Sequence, residues 1–151
     1  MLFNLKDKVS IITGGGSGIG KAIAQVFGEH GSKVCILELN LATAQETANN
    51  ILEKQGHARA YQCNVSNQQE VKSTVDTIVK ELGRVDILVN CAGIAHIGKL
   101  ENTNEADFDR LFNVNVKGVY NAMQAVIHYM KNQKSGVILN LASVAALVSV
   151  A

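Results

Sequence analysis

Thr13-Gly14-Gly15-Gly16-Ser17-Gly18-Ile19-Gly20 follows the apolar run Val9-Ser10-Ile11-Ile12 and leads straight into Lys21-Ala22-Ile23-Ala24. Glycines at a strand-to-helix turn permit positive φ and let the backbone approach a ligand closely. The helix start adds unpaired N–H groups and the positive end of its dipole, which together stabilise an anion. The segment therefore predicts a phosphate-containing ligand. It does not contain Gly-x-Gly-x-x-Gly, because the last position of each register falls on Ile19, Lys21 or Ile23; its pattern is Thr-Gly-x-x-x-Gly-x-Gly. Gly15, Gly20 and Lys21 match the register of a nucleotide triphosphatase loop, but Ala22 stands where a Ser or Thr hydroxyl must bind Mg²⁺. That substitution disfavours a triphosphatase.

Outward from the turn, near-continuous apolar runs recur at Val9-Ser10-Ile11-Ile12, Val34-Cys35-Ile36-Leu37, Ile87-Leu88-Val89 and Val137-Ile138-Leu139-Asn140-Leu141. Strands buried on both faces of a parallel sheet read this way. Between them lie segments with helical periodicity: Ile19, Ile23, Val26 and Phe27; Leu41, Ala44, Ala48, Ile51 and Leu52; Val71, Val75, Ile78, Val79 and Leu82. A weaker strand is predicted at Arg59-Ala60-Tyr61-Gln62-Cys63. A long helix is predicted over about 113–132, with Val116, Val119, Tyr120, Met123, Val126, Ile127 and Met130 on one face. The alternation βαβαβαβαβ, beginning with a glycine-rich turn, predicts an α/β fold. It is a doubly wound parallel sheet of Rossmann type, strand order 3-2-1-4-5, with helices on both faces.

Glu38 stands directly after the second strand, 20 residues beyond Gly18. An acidic side chain there accepts hydrogen bonds from the hydroxyls of an adenosine ribose and repels a 2′-phosphate. Its candidate neighbours, Ser17 and Leu39, carry no charge to pair such a phosphate, so NAD is expected as cofactor in preference to NADP. Asn64-Val65, after the third strand, lies at the same edge and could bond the edge of an adenine.

Fourteen Lys and Arg against 13 Asp and Glu leave a net charge of +1, and the basic residues are scattered. That pattern has no electrostatic footprint for nucleic acid or an anionic membrane surface, so neither is expected as a partner. The N-terminus breaks its apolar residues with Asn4, Lys6, Asp7 and Lys8, unlike a signal peptide or a membrane span, and a cytoplasmic location is expected. Cys35, Cys63 and Cys91 form no Cys-x-x-Cys pair and read as reduced core thiols. His30, His57, His96 and His128 are isolated, so no metal site is expected; His96, after Gly93, reads as a solvated loop residue with facing the substrate as its alternative. With 47% hydrophobic residues and no proline, the 151 residues read as one domain.

The sequence resembles the short-chain dehydrogenase/reductase family through four ordered motifs. They are Thr13-Gly14-x-x-x-Gly18-x-Gly20, Asn90-Cys91-Ala92-Gly93, Asn115-Val116-Lys117-Gly118 and Asn140-Leu141-Ala142-Ser143. The resemblance implies an NAD(P)-dependent oxidoreductase that moves a hydride between nicotinamide and a carbinol or carbonyl carbon. It implies that Gly14, Gly18 and Gly20 with Ile19 line the pyrophosphate, with Gly16 and Ser17 also among the cofactor-binding residues. Glu38 and Leu39 would lie at the ribose, Asn64 and Val65 at the adenine, and Asn90, Ala92 and Gly93 beside the cofactor's riboses. Cys91 stands where the family has Asn, and Asn64 where it has an acid. Ser143 matches the serine that orients the substrate oxygen, and Asn115 the helix asparagine that holds a water in the proton relay.

The family's general acid/base is a tyrosine followed four residues later by lysine, and no such pair occurs: Tyr61, Tyr120 and Tyr129 precede Val65, Gln124 and Gln133 at that spacing. The expectation is a dinucleotide-binding domain over 1–151, truncated before that segment. The full-length protein would be an NAD-dependent dehydrogenase of a small, weakly charged alcohol or ketone, forming homodimers or homotetramers. The 151 residues alone would be inactive. The alternative is a catalytically inactive NAD-binding fragment, pseudoenzyme or interaction module.

Overall fold

A computed structural model describes residues 4–144. Five parallel strands form one sheet: β1 (Val9–Thr13), β2 (Lys33–Glu38), β3 (His57–Gln62), β4 (Ile87–Asn90) and β5 (Val137–Asn140), in the order β3-β2-β1-β4-β5. The crossovers are α1 (Gly18–Glu29), α2 (Leu41–Glu53), α3 (Gln68–Leu82), α4 (Glu105–Phe112) and α5 (Gly118–Gln133), with a π-helical turn at Asn113–Lys117. A 3₁₀ turn at Leu100–Asn102 precedes α4; neither it nor α4 announces itself in the hydrophobic pattern.

The sheet is packed on both faces. One core joins Ile11, Leu37 and Leu88 to Val71, Val75 and Ile78 of α3 and Ala122 and Val126 of α5; the other joins Ile12, Ile36 and Val89 to Ala24 of α1 and Ala48 and Ile51 of α2. Three expectations need correction. α1 buries Gly20, Ala24 and Gly28, while Ile19 and Val26 are exposed. Small residues let the helix lie close to its neighbours, and at Gly28 a β-carbon would stand 2.6 Å from Ile51 Cγ2. The apolar face expected for the long helix likewise divides: Val126 and Met130 are buried, whereas Val116, Tyr120 and Ile127 are exposed. β5 is not buried on both faces, Val137 being 61% exposed and Leu139 49%.

Below the sheet, Asp86 ties three strand starts together. Its carboxylate accepts the Val9 N–H at 3.0 Å and two bonds from Arg84, while its main-chain carbonyl accepts the Val137 N–H. Burial pushes its carboxyl up, but the Arg84 guanidinium and the Val9 N–H outweigh burial and hold it below the usual carboxylate range.

Candidate functional site

The carboxyl ends of the strands open on a cleft of about 500 Å³. β1 ends in Thr13, whose Oγ1 accepts the N–H groups of Cys91 and Ala92, each at 3.2 Å. This hydroxyl locks the β1–α1 turn to the segment after β4. Gly14 takes φ +68°, and a β-carbon on it would lie 2.7 Å from Ala92 Cα; one on Gly20 would lie 2.2 Å from the Gly14 carbonyl oxygen. Contact requires glycine at both places, and at Gly14 the backbone conformation requires it too. Asn40, Asn67 and Asn104 each cap their helix with a side-chain oxygen, whereas Ser17 at the start of α1 makes no such bond. The first turn of α1 thus keeps its character as an anion site.

At the end of β2, Glu38 Oε2 accepts the Gly16 N–H at 3.2 Å and Oε1 accepts the Leu39 N–H at 2.9 Å. Two backbone donors fix the carboxylate and leave it acceptor capacity toward the cleft. No Lys or Arg is among the described residues that line the cleft. Lys21, next to the turn, is paired with Glu46 at 2.7 Å.

Of the residues anticipated from sequence, Gly14, Ser17, Gly18, Ile19, Gly20, Glu38, Leu39, Asn64, Val65, Ala92 and Gly93 line this one cleft. Gly16 lies behind it, packed toward Thr43 and Glu38. Asn90 is buried and donates through Nδ2 to Asn140 Oδ1 at 2.8 Å, which pins the ends of β4 and β5 together. The Asn64 side-chain oxygen accepts the Ser66 N–H at 3.0 Å, closing a turn. Asn115 sits in the π-helical turn: its Oδ1 accepts the Ile94 N–H at 2.9 Å and its Nδ2 donates to the Ile94 carbonyl at 2.8 Å. Ser143 is exposed beyond β5.

Leu37, Cys63, Cys91, Ile94 and Val114 also line the cleft and were not anticipated. Four of them lie in or just after the carboxyl ends of strands, which is the signal that would have found them; Val114, carried by the π-helical turn, has none. Cys91 is therefore not only a core thiol. Burial raises it, against the opposing Gly20 N–H, and burial pushes Cys35 up to about 12 and Cys63 to about 11. His96 is not solvated: its side chain is 20% exposed, with Nδ1 4.0 Å from Asp107 Oδ1, and it does not line the cleft. Nor do Tyr61, Tyr120 and Tyr129. Burial and the Glu81 carboxylate raise the Tyr61 phenol, and the Asp76 carboxylate raises Tyr129, so both are held protonated as structural donors. Among the described residues no cluster of three or more His, Cys, Asp or Glu could hold a metal ion, and no helix is long and apolar enough to cross a membrane.

A doubly wound sheet with a glycine turn and an acid at the next strand end defines a dinucleotide-binding domain. The chain matches the short chain dehydrogenase family over residues 8–151. It is 42% identical over 149 residues to an uncharacterized oxidoreductase of Thermotoga maritima, covering 97% of this chain and 58% of the relative. It is 35% identical over 147 residues to D-threitol dehydrogenase of Mycolicibacterium smegmatis, covering 97% of this chain and 56% of that protein. An NAD⁺-bound xylitol dehydrogenase superimposes with a TM-score of 0.94 at 32% identity, over 98% of this chain and 57% of the other. A metagenomic short-chain oxidoreductase in complex with NADP does so with a TM-score of 0.92 at 30% identity, over 97% and 67%. The chain belongs to the short-chain dehydrogenase family, a family of oxidoreductases that bind a nicotinamide cofactor. It spans 58% of the first relative's length.

Proposed function

We propose that the whole protein is an NAD-dependent oxidoreductase acting on a secondary alcohol or ketone of a small, weakly charged substrate. The observation that carries the choice of NAD is Glu38, fixed by the Gly16 and Leu39 N–H groups in a cleft with no lining cation among the described residues. A 2′-phosphate there meets a carboxylate and nothing to neutralise it. The close contacts at Gly14 and Gly20 hold the turn tight against its own backbone, and above Gly18, at φ +51°, a β-carbon would meet only open space; both fit backbone N–H groups presented to a pyrophosphate.

In this reading, Gly14, Gly18, Ile19 and Gly20 hold the pyrophosphate, Glu38 the adenosine ribose, Asn64 and Val65 the adenine, and Ala92 and Gly93 the other ribose. The nicotinamide, when bound, supplies or accepts the hydride. Ser143 orients the substrate oxygen and stabilises charge developing on it. Asn115 has committed its side chain to Ile94, so a relay water falls to its main-chain carbonyl. Relatives named for D-threitol and xylitol make small polyols the first substrates to try.

We further propose a cytoplasmic protein that assembles as a homodimer or homotetramer. The test is steady-state oxidation of a polyol and secondary-alcohol panel by the whole protein with each cofactor. kcat/KM is expected to favour NAD by at least about tenfold. A preference for NADP would overturn the cofactor assignment, and NAD binding without turnover of any panel member would favour the inactive binding module.

A further inference from the structure

Asn121 lies on the buried face of α5 and is 1% exposed. Its Nδ2 donates to the Val65 carbonyl at 2.8 Å, and its Oδ1 is buried without a partner among the described residues. A buried amide oxygen without a donor costs folding free energy, so apolar packing alone does not account for asparagine here. Val65 lines the cleft. This loop and the first residue of α3 meet α5 at two more points. A β-carbon on Gly118 would stand 2.8 Å from Val65 Cγ2, and Gln68 Nε2 donates to Gln124 Oε1 at 3.2 Å. By contrast, the side-chain oxygens of Asn64 and Asn67 are engaged within their own turn, by the Ser66 and Glu70 N–H groups. Of the tethers to α5 among the described residues, the Asn121 bond alone grips the backbone of a cleft-lining residue.

We infer that Asn121 is a positioning residue for the adenosine end of the dinucleotide, acting by fixing the Val65 peptide and with it the Asn64–Val65 wall. The inference rests on the reading of the cleft given above. It is tested in the whole protein with Asn121→Leu, which keeps the branching and the number of heavy atoms, removes the donor and also removes the stranded oxygen. KM for NAD and the inhibition constant of adenosine 5′-monophosphate are expected to rise together by about three- to tenfold, the range one hydrogen bond commands. kcat and KM for the alcohol should stay within about twofold, and the melting temperature should shift little, because the Val65 carbonyl left without its donor is offset by removal of the unpartnered Asn121 oxygen. A purely structural role cannot lower affinity for the adenosine half while stability holds. Should Asn121→Leu fail to fold, Asn121→Ala gives the same comparison without added bulk. A folded variant with unchanged NAD and adenosine monophosphate constants overturns the inference alone. Wild-type protein that neither uses NAD nor is inhibited by adenosine monophosphate overturns it together with the reading it rests on.

Discussion

A methyl group on Gly20 would stand 2.2 Å from the Gly14 carbonyl oxygen, a distance no relaxation of side chains can relieve because both partners are backbone. Gly20→Ala must therefore open the turn or shift α1. Overpacking of this kind costs about 1–3 kcal/mol, and the turn it deforms is the pyrophosphate site of the proposed function. The expected outcome is a lower melting temperature together with loss of NAD binding by calorimetry; full affinity in the variant would count against the turn as the pyrophosphate site. Glu38 makes the complementary case, since its role is charge. Glu38→Gln keeps the side chain's size and one acceptor oxygen but removes the repulsion toward a 2′-phosphate. The ratio of kcat/KM for NAD over NADP is expected to fall by about tenfold or more, mainly through NADP becoming usable. These residues were legible because each is a departure from what packing asks for: glycines in a row, and an acid at the end of a buried strand. Asn121 was not legible, because a lone amide among apolar neighbours on a helix carries no signal until its partner across 56 positions is seen.

Elements were legible where periodicity and burial agree. The strands β1, β2 and β4 and the helix α3 have the apolar runs and stripes their buried positions demand. α1 misleads because its largest apolar residues are not its buried ones: Gly20, Ala24 and Gly28 make the contact, and Ile19 turns to the cleft. Closeness of approach decides that packing. Gly28→Ala would put a methyl 2.6 Å from Ile51 Cγ2, and α1 and α2 would have to separate. A loss of about 1–3 kcal/mol in urea unfolding is expected, with NAD affinity in the folded protein little changed because Gly28 is at the far end of the helix. The π-helical turn shows the opposite relation of element to site. By widening the helix at Asn113–Lys117 it brings Asn115 to clasp both main-chain groups of Ile94. π turns concentrate at functional sites, but hydrophobic spacing cannot reveal one, and the sequence read as an uninterrupted helix.

At the scale of the whole molecule, Asp86 holds the lower ends of β1, β4 and β5 in one network while the cleft occupies the upper ends. Its folded pKa lies below the unfolded one, near 3.9. Its contribution is therefore complete above about pH 4 and is lost as pH falls through the depressed folded value. Asp86→Ala strands the buried Val9 N–H and should cost about 2–3 kcal/mol at neutral pH. The difference between variant and wild type should shrink as the medium is acidified; a difference independent of pH would assign the loss to packing. Above the network, the outer side of α4, the π turn and α5 exposes Phe108, Phe112, Val116, Tyr120 and Ile127, with the Phe108 and Phe112 rings stacked 6.3 Å apart. Apolar residues spaced along one helical side and left in water mark a contact surface. On the proposal that the protein is a homo-oligomer, Ile127→Glu places a charge in that surface without touching the cleft. Sedimentation velocity of the whole protein should then show dissociation to smaller species at micromolar concentration, with NAD affinity per subunit retained. An unchanged sedimentation coefficient would remove this face from the assembly.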